Sequence, residues 1–83
     1  ARRRFSIETE LRRALERDQL KLFYQPLVDL KSGKVSGFEA LARWHHEDRG
    51  EISPTEFIPV AEESGLILHL GRWAMDRAAQ TLA

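Results

Sequence analysis

Two extended runs joined by a short turn place the strongest constraint on how this chain can fold. The first run, L-K-L-F-Y-Q-P-L-V-D-L at 20–30, is rich in residues that favour strands, and the second run occupies 35–44. Between them, K-S-G-K places Gly33 where a tight turn needs a positive φ. Pro26 has no backbone donor, so the first strand is expected to lie at a sheet edge or to be irregular there. The sequence therefore predicts an antiparallel β-hairpin, which is marginal in water without further elements to cover it.

Helical periodicity and capping signals flank the hairpin. Ser6 is suited to cap a first helix, in which apolar residues recur at helical spacing. S-P-T-E at 53–56 is typical of a helix start and Gly65 of its end, while Pro59 is expected to bend this helix or keep it short. The segment 45–52 is predicted to be a polar loop. The predicted elements are a linker from an upstream domain at 1–5, helix 6–18, strand 20–30, strand 35–44, helix 54–63 and helix 66–83.

The bulk composition excludes several classes of function. The 83 residues suffice for one small domain or a piece of a larger one, and 13 basic residues balance 13 acidic ones. A net charge of zero argues against binding of a nucleic-acid polymer or an anionic membrane through gross charge. The lack of cysteine excludes disulfides and thiolate metal sites and is compatible with a cytoplasmic location. No apolar run approaches the roughly 20 residues of a membrane span, so we expect no membrane contact by this segment, although other regions could tether the parent protein.

Side-chain alternation gives the second strand two different faces. One face carries Glu39 and Arg43 with Leu41 between them, and the first strand contributes Gln25. The other face is nearly all apolar and is predicted to pack against helices. Its residues are Ser36, Phe38, Ala40, Ala42 and Trp44. If the register of the hairpin aligns the polar positions, Glu39, Arg43 and Gln25 form one polar cluster.

Two interpretations of this cluster stay open from the residues alone. Glu39 and Arg43 could form an exposed ion pair, which would contribute little to stability. Alternatively, a carboxylate on a partly buried strand suits a hard divalent cation. A guanidinium suits a phosphate, because its fork matches two phosphate oxygens. The second interpretation indicates phosphate chemistry with a metal ion, but one carboxylate cannot hold a catalytic ion alone.

An ordered set of motifs resembles the EAL domain family along almost the whole chain. E-A-L at 39–41 lies inside G-F-E-A-L-A-R-W, with F-Y-Q-P-L-V-D-L before it and I-S-P-T-E-F-I-P-V-A-E-E-S-G-L-I after it. The upstream L-R-R-A-L is also typical of the helix that opens these domains. The resemblance implies a phosphodiesterase that cuts cyclic di-GMP to linear pGpG. It also implies an α/β fold like a TIM barrel whose first strand runs antiparallel to the rest. A full barrel needs about 250 residues, so 6–83 would be the N-terminal part of one, an incomplete barrel.

The resemblance also implies roles for the polar cluster. Glu39 aligns with a metal-binding glutamate, Arg43 with an arginine at a substrate phosphate, and Gln25 and Leu41 with residues at the substrate. The implied cofactor is a pair of Mg²⁺ or Mn²⁺ ions, and most of their ligands belong downstream of this chain. Because two-metal hydrolysis needs ions that clamp both the attacking and the leaving oxygen, this fragment alone is expected to be inactive.

Two further groups of residues have weaker implied roles. Pro59 and Glu62 lie in F-I-P-V-A-E and are assigned a supporting role near the substrate base. Alternatively, Pro59 only shapes its helix and Glu62 only caps or pairs locally. His45 and His46 stand where the family usually has a proline, and we interpret both as loop residues and not as metal ligands. His69 is interpreted as a helix-face residue.

The implied partners are cyclic di-GMP and an upstream sensory or GGDEF-type domain. A homodimer that covers exposed apolar faces is a further alternative. The alternative function is a non-catalytic module that binds cyclic di-GMP or a protein, as degenerate relatives of the family do. Glu39 favours the enzyme, and loss of the family's paired aspartates or lysine downstream would favour the module.

Overall fold

The computed structural model describes residues 5–82, so most of the linker predicted at 1–5 lies outside the described residues. In chain order the elements are α1 (Ile7–Glu16), β1 (Leu20–Val28), β2 (Val35–His46), β3 (Gly50–Ile52), α2 (Pro54–Ser64) and α3 (Leu66–Leu82). The strands form one antiparallel sheet in the order β1-β2-β3. Within residues 5–82, no helix combines the length and the apolar character needed to cross a membrane.

The helix ends follow the capping signals in the sequence. The Ser6 hydroxyl accepts a backbone N–H of the first turn of α1 at 3.3 Å. The Ser53 hydroxyl accepts the N–H of Thr55 at 3.2 Å at the start of α2. Gly65 ends α2 with a left-handed φ of 83°, a conformation that costs glycine little. Pro59 lies inside α2 without ending it, since the helix continues to Ser64.

The turn of the hairpin is organised by one carboxylate. Asp29 accepts the backbone N–H groups of Lys31 at 2.8 Å and of Ser32 at 3.3 Å, and Gly33 takes a φ of 70°. β1 therefore ends before Asp29, earlier than predicted. It lies at the edge of the described sheet, which is the position predicted from Pro26 because proline donates no ladder hydrogen bond.

The prediction of a polar loop over 45–52 is wrong. β2 continues to His46, and the three residues of β3 pair with its end. The pairs are Trp44 with Ile52, His45 with Glu51 and His46 with Gly50. The turn between these strands is held by His46, whose Nδ1 accepts the N–H groups of Asp48 at 3.1 Å and Arg49 at 3.2 Å. Gly50 supplies the positive φ, 73°, with which the chain turns back.

The apolar core lies where the three helices cover one end of the sheet. Trp44 packs edge-on against Phe57, with ring centroids 5.7 Å apart. The buried residues are Leu11, Ala14, Leu20, Trp44, Ile52, Phe57, Ala61, Leu66 and Leu70. The apolar face of β2 was predicted to pack on helices along its length, which is wrong for Phe38 and Ala40, both of them exposed. The hairpin projects past the helices, and the described chain measures 59 Å by 24 Å by 24 Å.

A polar contact ties α3 to the connection between α1 and β1. The carboxylate of Asp18 accepts the indole N–H of Trp73 at 2.9 Å and pairs with the guanidinium of Arg77. The Trp73 hydrogen bond first, and then the Arg77 hydrogen bond, lower the pKa of Asp18 below its ordinary value. This contact joins residues that are 55 and 59 positions apart in the chain.

Candidate functional site

The predicted polar cluster lies on the face of the sheet opposite the buried Trp44. Cross-strand pairing sets Gln25 directly opposite Glu39 and Phe23 directly opposite Leu41. Directly opposite residues have Cβ atoms about 4.5–5.5 Å apart, so the amide of Gln25 and the carboxylate of Glu39 are neighbours. Arg43 lies on the same face, about 13 Å from Glu39 along β2 at the usual rise per residue. We call this face of β1 and β2, with Gln25, Glu39, Leu41 and Arg43, the open face.

A cavity of about 570 Å³ lies on the open face beside Arg43. Its lining residues are Gln19, Lys21, Phe23, Tyr24, Gln25, Leu41, Arg43, His45 and Glu51. Gln25, Leu41 and Arg43 are therefore brought to one cavity, whereas Glu39 lies on the same face outside the lining. The volume falls within the roughly 300–1,000 Å³ of small-molecule sites, so the cavity can receive a small ligand.

The carboxylate of Glu51 lies between the side chains of Arg43 and His45 at one end of the cavity. Its carboxylate lies 3.9 Å from Nη1 of Arg43 and 4.0 Å from Nδ1 of His45. The Arg43 and Glu51 side chains are each about half exposed, so their ion pair contributes little to stability, about 0–1 kcal/mol. The guanidinium is therefore free to exchange this partner for a phosphate.

Sequence reasoning missed Glu51 and Lys21, both of which line the cavity on the open face. Glu51 could have been found only by recognising β3, because the β2–β3 pairing carries it opposite His45. Lys21 required no new element, since it precedes Phe23 by two residues and shares its face by simple alternation.

The described residues supply only part of the ligand set that a divalent cation needs. Within residues 5–82, no group of three or more histidine, aspartate or glutamate side chains is arranged to hold a metal ion. Glu39 offers one carboxylate and Gln25 an amide oxygen opposite it. Mg²⁺ takes six oxygen ligands, some of them water, and is usually bound through one or two carboxylates. The donor types fit a hard cation, but the described residues do not complete its site.

Pro59 and Glu62 are not brought to the open face. Both are exposed on α2, whose buried Phe57 packs on the opposite face of the sheet against Trp44. Neither residue lines the cavity beside Arg43. Their supporting role therefore stays a prediction that depends on residues outside this chain.

The two adjacent histidines point to opposite faces of β2. His45 lies on the open face near Glu51. His46 lies on the other face, where its ring meets Phe5 edge-on at 5.3 Å and its Nε2 is 3.8 Å from a carboxylate oxygen of Glu10. Both belong to a strand end and not to a loop, and His46 has a structural role in linking the β2–β3 turn to α1.

The chain matches the family model described as EAL domain over residues 8–83. It is similar to the bifunctional diguanylate cyclase/cyclic di-GMP phosphodiesterase MucR of Pseudomonas aeruginosa, with 48% identity over 73 residues. That alignment covers 88% of this chain and 11% of MucR. Across several curated relatives the chain spans only 9–11% of their length.

Two solved structures resemble the described fold closely. The MucR phosphodiesterase in complex with c-di-GMP superposes with a TM-score of 0.83 at 45% identity, covering 94% of this chain and 32% of that one. The FimX EAL domain from Pseudomonas aeruginosa bound to c-di-GMP superposes with a TM-score of 0.79 at 29% identity, with the same coverage of 94% and 32%. The predicted fold class, an α/β fold that is part of a TIM-like barrel, is thereby confirmed.

Proposed function

Because this chain belongs to the EAL domain family, we propose that residues 6–83 form the N-terminal part of a cyclic di-GMP phosphodiesterase domain. The reaction is metal-assisted hydrolysis of one phosphodiester bond, which opens cyclic di-GMP to linear pGpG. The matched MucR and FimX chains are about three times as long as the segment they share with this chain. We propose that the corresponding downstream part of the parent protein completes the site, and we expect the 83 residues alone to be inactive.

The observation that carries the proposal is the shared open face of Glu39, Gln25 and Arg43. The Glu39 carboxylate, with the Gln25 amide opposite, offers oxygen ligands of the type that hard divalent cations prefer. The Arg43 guanidinium lines a cavity of small-molecule size, and its fork matches two phosphate oxygens. In this proposal Glu39 is a metal ligand, Arg43 binds a substrate phosphate, and Gln25 and Leu41 contact the substrate.

We propose Mg²⁺ or Mn²⁺ as the metal, because carboxylate and amide oxygens suit these ions better than softer ones. When bound, such an ion polarises a phosphoryl oxygen and lowers the pKa of a bound water. The contribution of this chain is to present Glu39 as one ligand and to position the phosphate through Arg43.

The proposed setting of the domain follows from its relatives. MucR is by name bifunctional, which supports an upstream sensory or GGDEF-type domain in the parent protein. We propose a cytoplasmic location, with which the absence of cysteine is compatible. Pairing with a second copy would cover exposed apolar residues of the hairpin such as Phe38 and Leu30.

Hydrolysis of cyclic di-GMP by the full-length protein that contains this chain tests the proposal. With Mg²⁺ or Mn²⁺, the protein is expected to produce pGpG, measured by liquid chromatography. The Glu39→Gln variant is expected to lose at least about 100-fold in kcat/KM, because changes even to the partners of metal ligands cost 10–100-fold. Glu47→Gln, at an exposed position in the β2–β3 turn, is the matched control and should keep normal activity.

Two outcomes would contradict the proposal in different ways. Full activity of the Glu39→Gln variant would refute the role of Glu39 as a metal ligand. Binding of cyclic di-GMP by the unaltered protein without hydrolysis would favour the non-catalytic module instead.

A further inference from the structure

A second cation, Lys21, lies directly opposite Arg43 on the open face. The two residues are cross-strand partners in the β1–β2 pairing, and both line the cavity. Like charges placed directly opposite each other on neighbouring strands destabilise a sheet. The roles proposed above make no use of Lys21, so this unfavourable arrangement needs an explanation.

The charges around the cavity leave the two cations incompletely neutralised. Glu51 is the carboxylate among the lining residues, and it lies 3.9 Å from Arg43 while approaching His45 on its other side. In the part of the chain that the structure describes, Lys21 forms no ion pair within 4.0 Å. Lys21 and Arg43 together thus outnumber the lining carboxylate, and the cavity favours an anion.

We propose that Lys21 is a further substrate-binding residue, which holds a phosphate of the cyclic dinucleotide jointly with Arg43. The inference rests on the proposed function and deepens it. A phosphate between the two side chains would turn their repulsion into attraction. Their chemistry is complementary, because the guanidinium fixes two oxygens in a plane while the ammonium is a mobile point charge with three donors. Phe23 and Leu41, the adjacent pair on the same face, place apolar surface beside this contact.

Steady-state kinetics of the full-length protein with cyclic di-GMP test this role. Lys21→Met and Lys21→Gln are expected to raise KM at least about tenfold, the lower end of the cost of losing a hydrogen bond to a charged group, and to leave kcat nearly unchanged. Lys21→Arg should restore KM to within about threefold, because it keeps the charge. The matched control is Lys34→Met in the exposed hairpin turn, which should behave like the unaltered protein.

Two further measurements distinguish a binding role of Lys21 from a purely structural role. They are the salt dependence of KM and the thermal stability of the ligand-free protein. Loss of the Lys21 charge should weaken the rise of KM with added salt, because one screened attraction is gone. The ligand-free Lys21→Met protein should be at least as stable to heat as the unaltered protein, because repulsion across the strand pair is relieved.

Each outcome distinguishes this inference from the proposed function. An unaltered KM and salt dependence in Lys21→Met and Lys21→Gln, in a protein that still hydrolyses cyclic di-GMP, would overturn the role of Lys21 alone. An equal rise of KM in Lys34→Met would also overturn it, since the effect would then be one of general charge. A protein that neither binds nor cleaves cyclic di-GMP before any substitution would overturn the proposed function and this inference together.

Discussion

Phe57 and Phe38 provide a matched test of where the fold is held together. Phe57 is completely buried against Trp44, whereas Phe38 is 64% exposed on the projecting hairpin. Phe57→Ala leaves a cavity in the core and is expected to cost about 3–5 kcal/mol. Complete burial of a phenylalanine side chain stabilises a fold by about 1.5–3 kcal/mol. Only about a third of the Phe38 side chain is buried, so Phe38→Ala should cost about 0.5–1 kcal/mol.

These costs are large against the stability that such a short chain can have. At the usual stability per residue, 83 residues correspond to about 4–12 kcal/mol. Urea lowers the free energy of unfolding by about 1 kcal/mol per molar in small proteins. In the 83-residue chain, Phe57→Ala should therefore lower the urea midpoint by about 3 M or unfold the protein outright, and Phe38→Ala by no more than about 1 M. Tryptophan fluorescence, to which the buried Trp44 and the partly buried Trp73 both contribute, reports the transition.

Equal midpoint shifts for the two variants would refute the reasoning. They would mean that the core extends along the hairpin and is not confined to the end covered by helices. The same pair in the full-length protein provides the second comparison. There the cost of Phe38→Ala should rise, if downstream elements of the barrel cover the exposed side of the hairpin.

Three further predictions concern α3 and the contacts that connect it to the rest of the chain. Asp18→Asn should lower the urea midpoint at pH 7, because hydrogen bonds from an indole and a guanidinium on α3 lower the Asp18 pKa. A carboxyl whose pKa is lowered in the folded state stabilises the fold at pH values above its unfolded-state pKa of about 3.9. This stabilisation is lost as the pH falls through the lower folded-state pKa. The difference from the unaltered protein should therefore begin to shrink as the pH falls below about 4 and should disappear only below the lowered folded-state pKa, and a constant difference from pH 7 to pH 3 would contradict it. Gly65→Ala should cost about 1 kcal/mol, because the residue ends α2 at positive φ although space around it is open. Gly71→Ala, inside α3 and equally uncrowded, should instead stabilise by about 0.5–1 kcal/mol in the same urea titration.

The hairpin could be predicted because its signals are local. Gly33, the strand-forming runs on either side of it and the period-2 alternation determine the turn, the pairing and the faces without reference to distant residues. The same local rules placed Gln25, Glu39 and Arg43 on one face, and the observed register sets the first two opposite each other.

The parts that escaped prediction depend on contacts between distant or weakly patterned segments. β3 has three residues, too few for alternation to be visible, and it forms only because the β2–β3 turn returns it to Trp44. Glu51 was missed with it. Asp18 and Trp73 are 55 positions apart in the chain, so no local pattern in the sequence indicates their contact. The burial of Phe38 was overestimated, because side-chain alternation identifies the apolar face of β2 without indicating how far along the strand the helices extend.

A structure of the full-length protein with cyclic di-GMP and a divalent cation tests the central claim most directly. We predict that the nucleotide lies on the open face, with a phosphate oxygen at hydrogen-bond distance, about 2.7–3.2 Å, from the Arg43 guanidinium. The cation should be coordinated by the Glu39 carboxylate. A nucleotide bound on the helix-covered side of the sheet, or a cation without Glu39 among its ligands, would contradict the account.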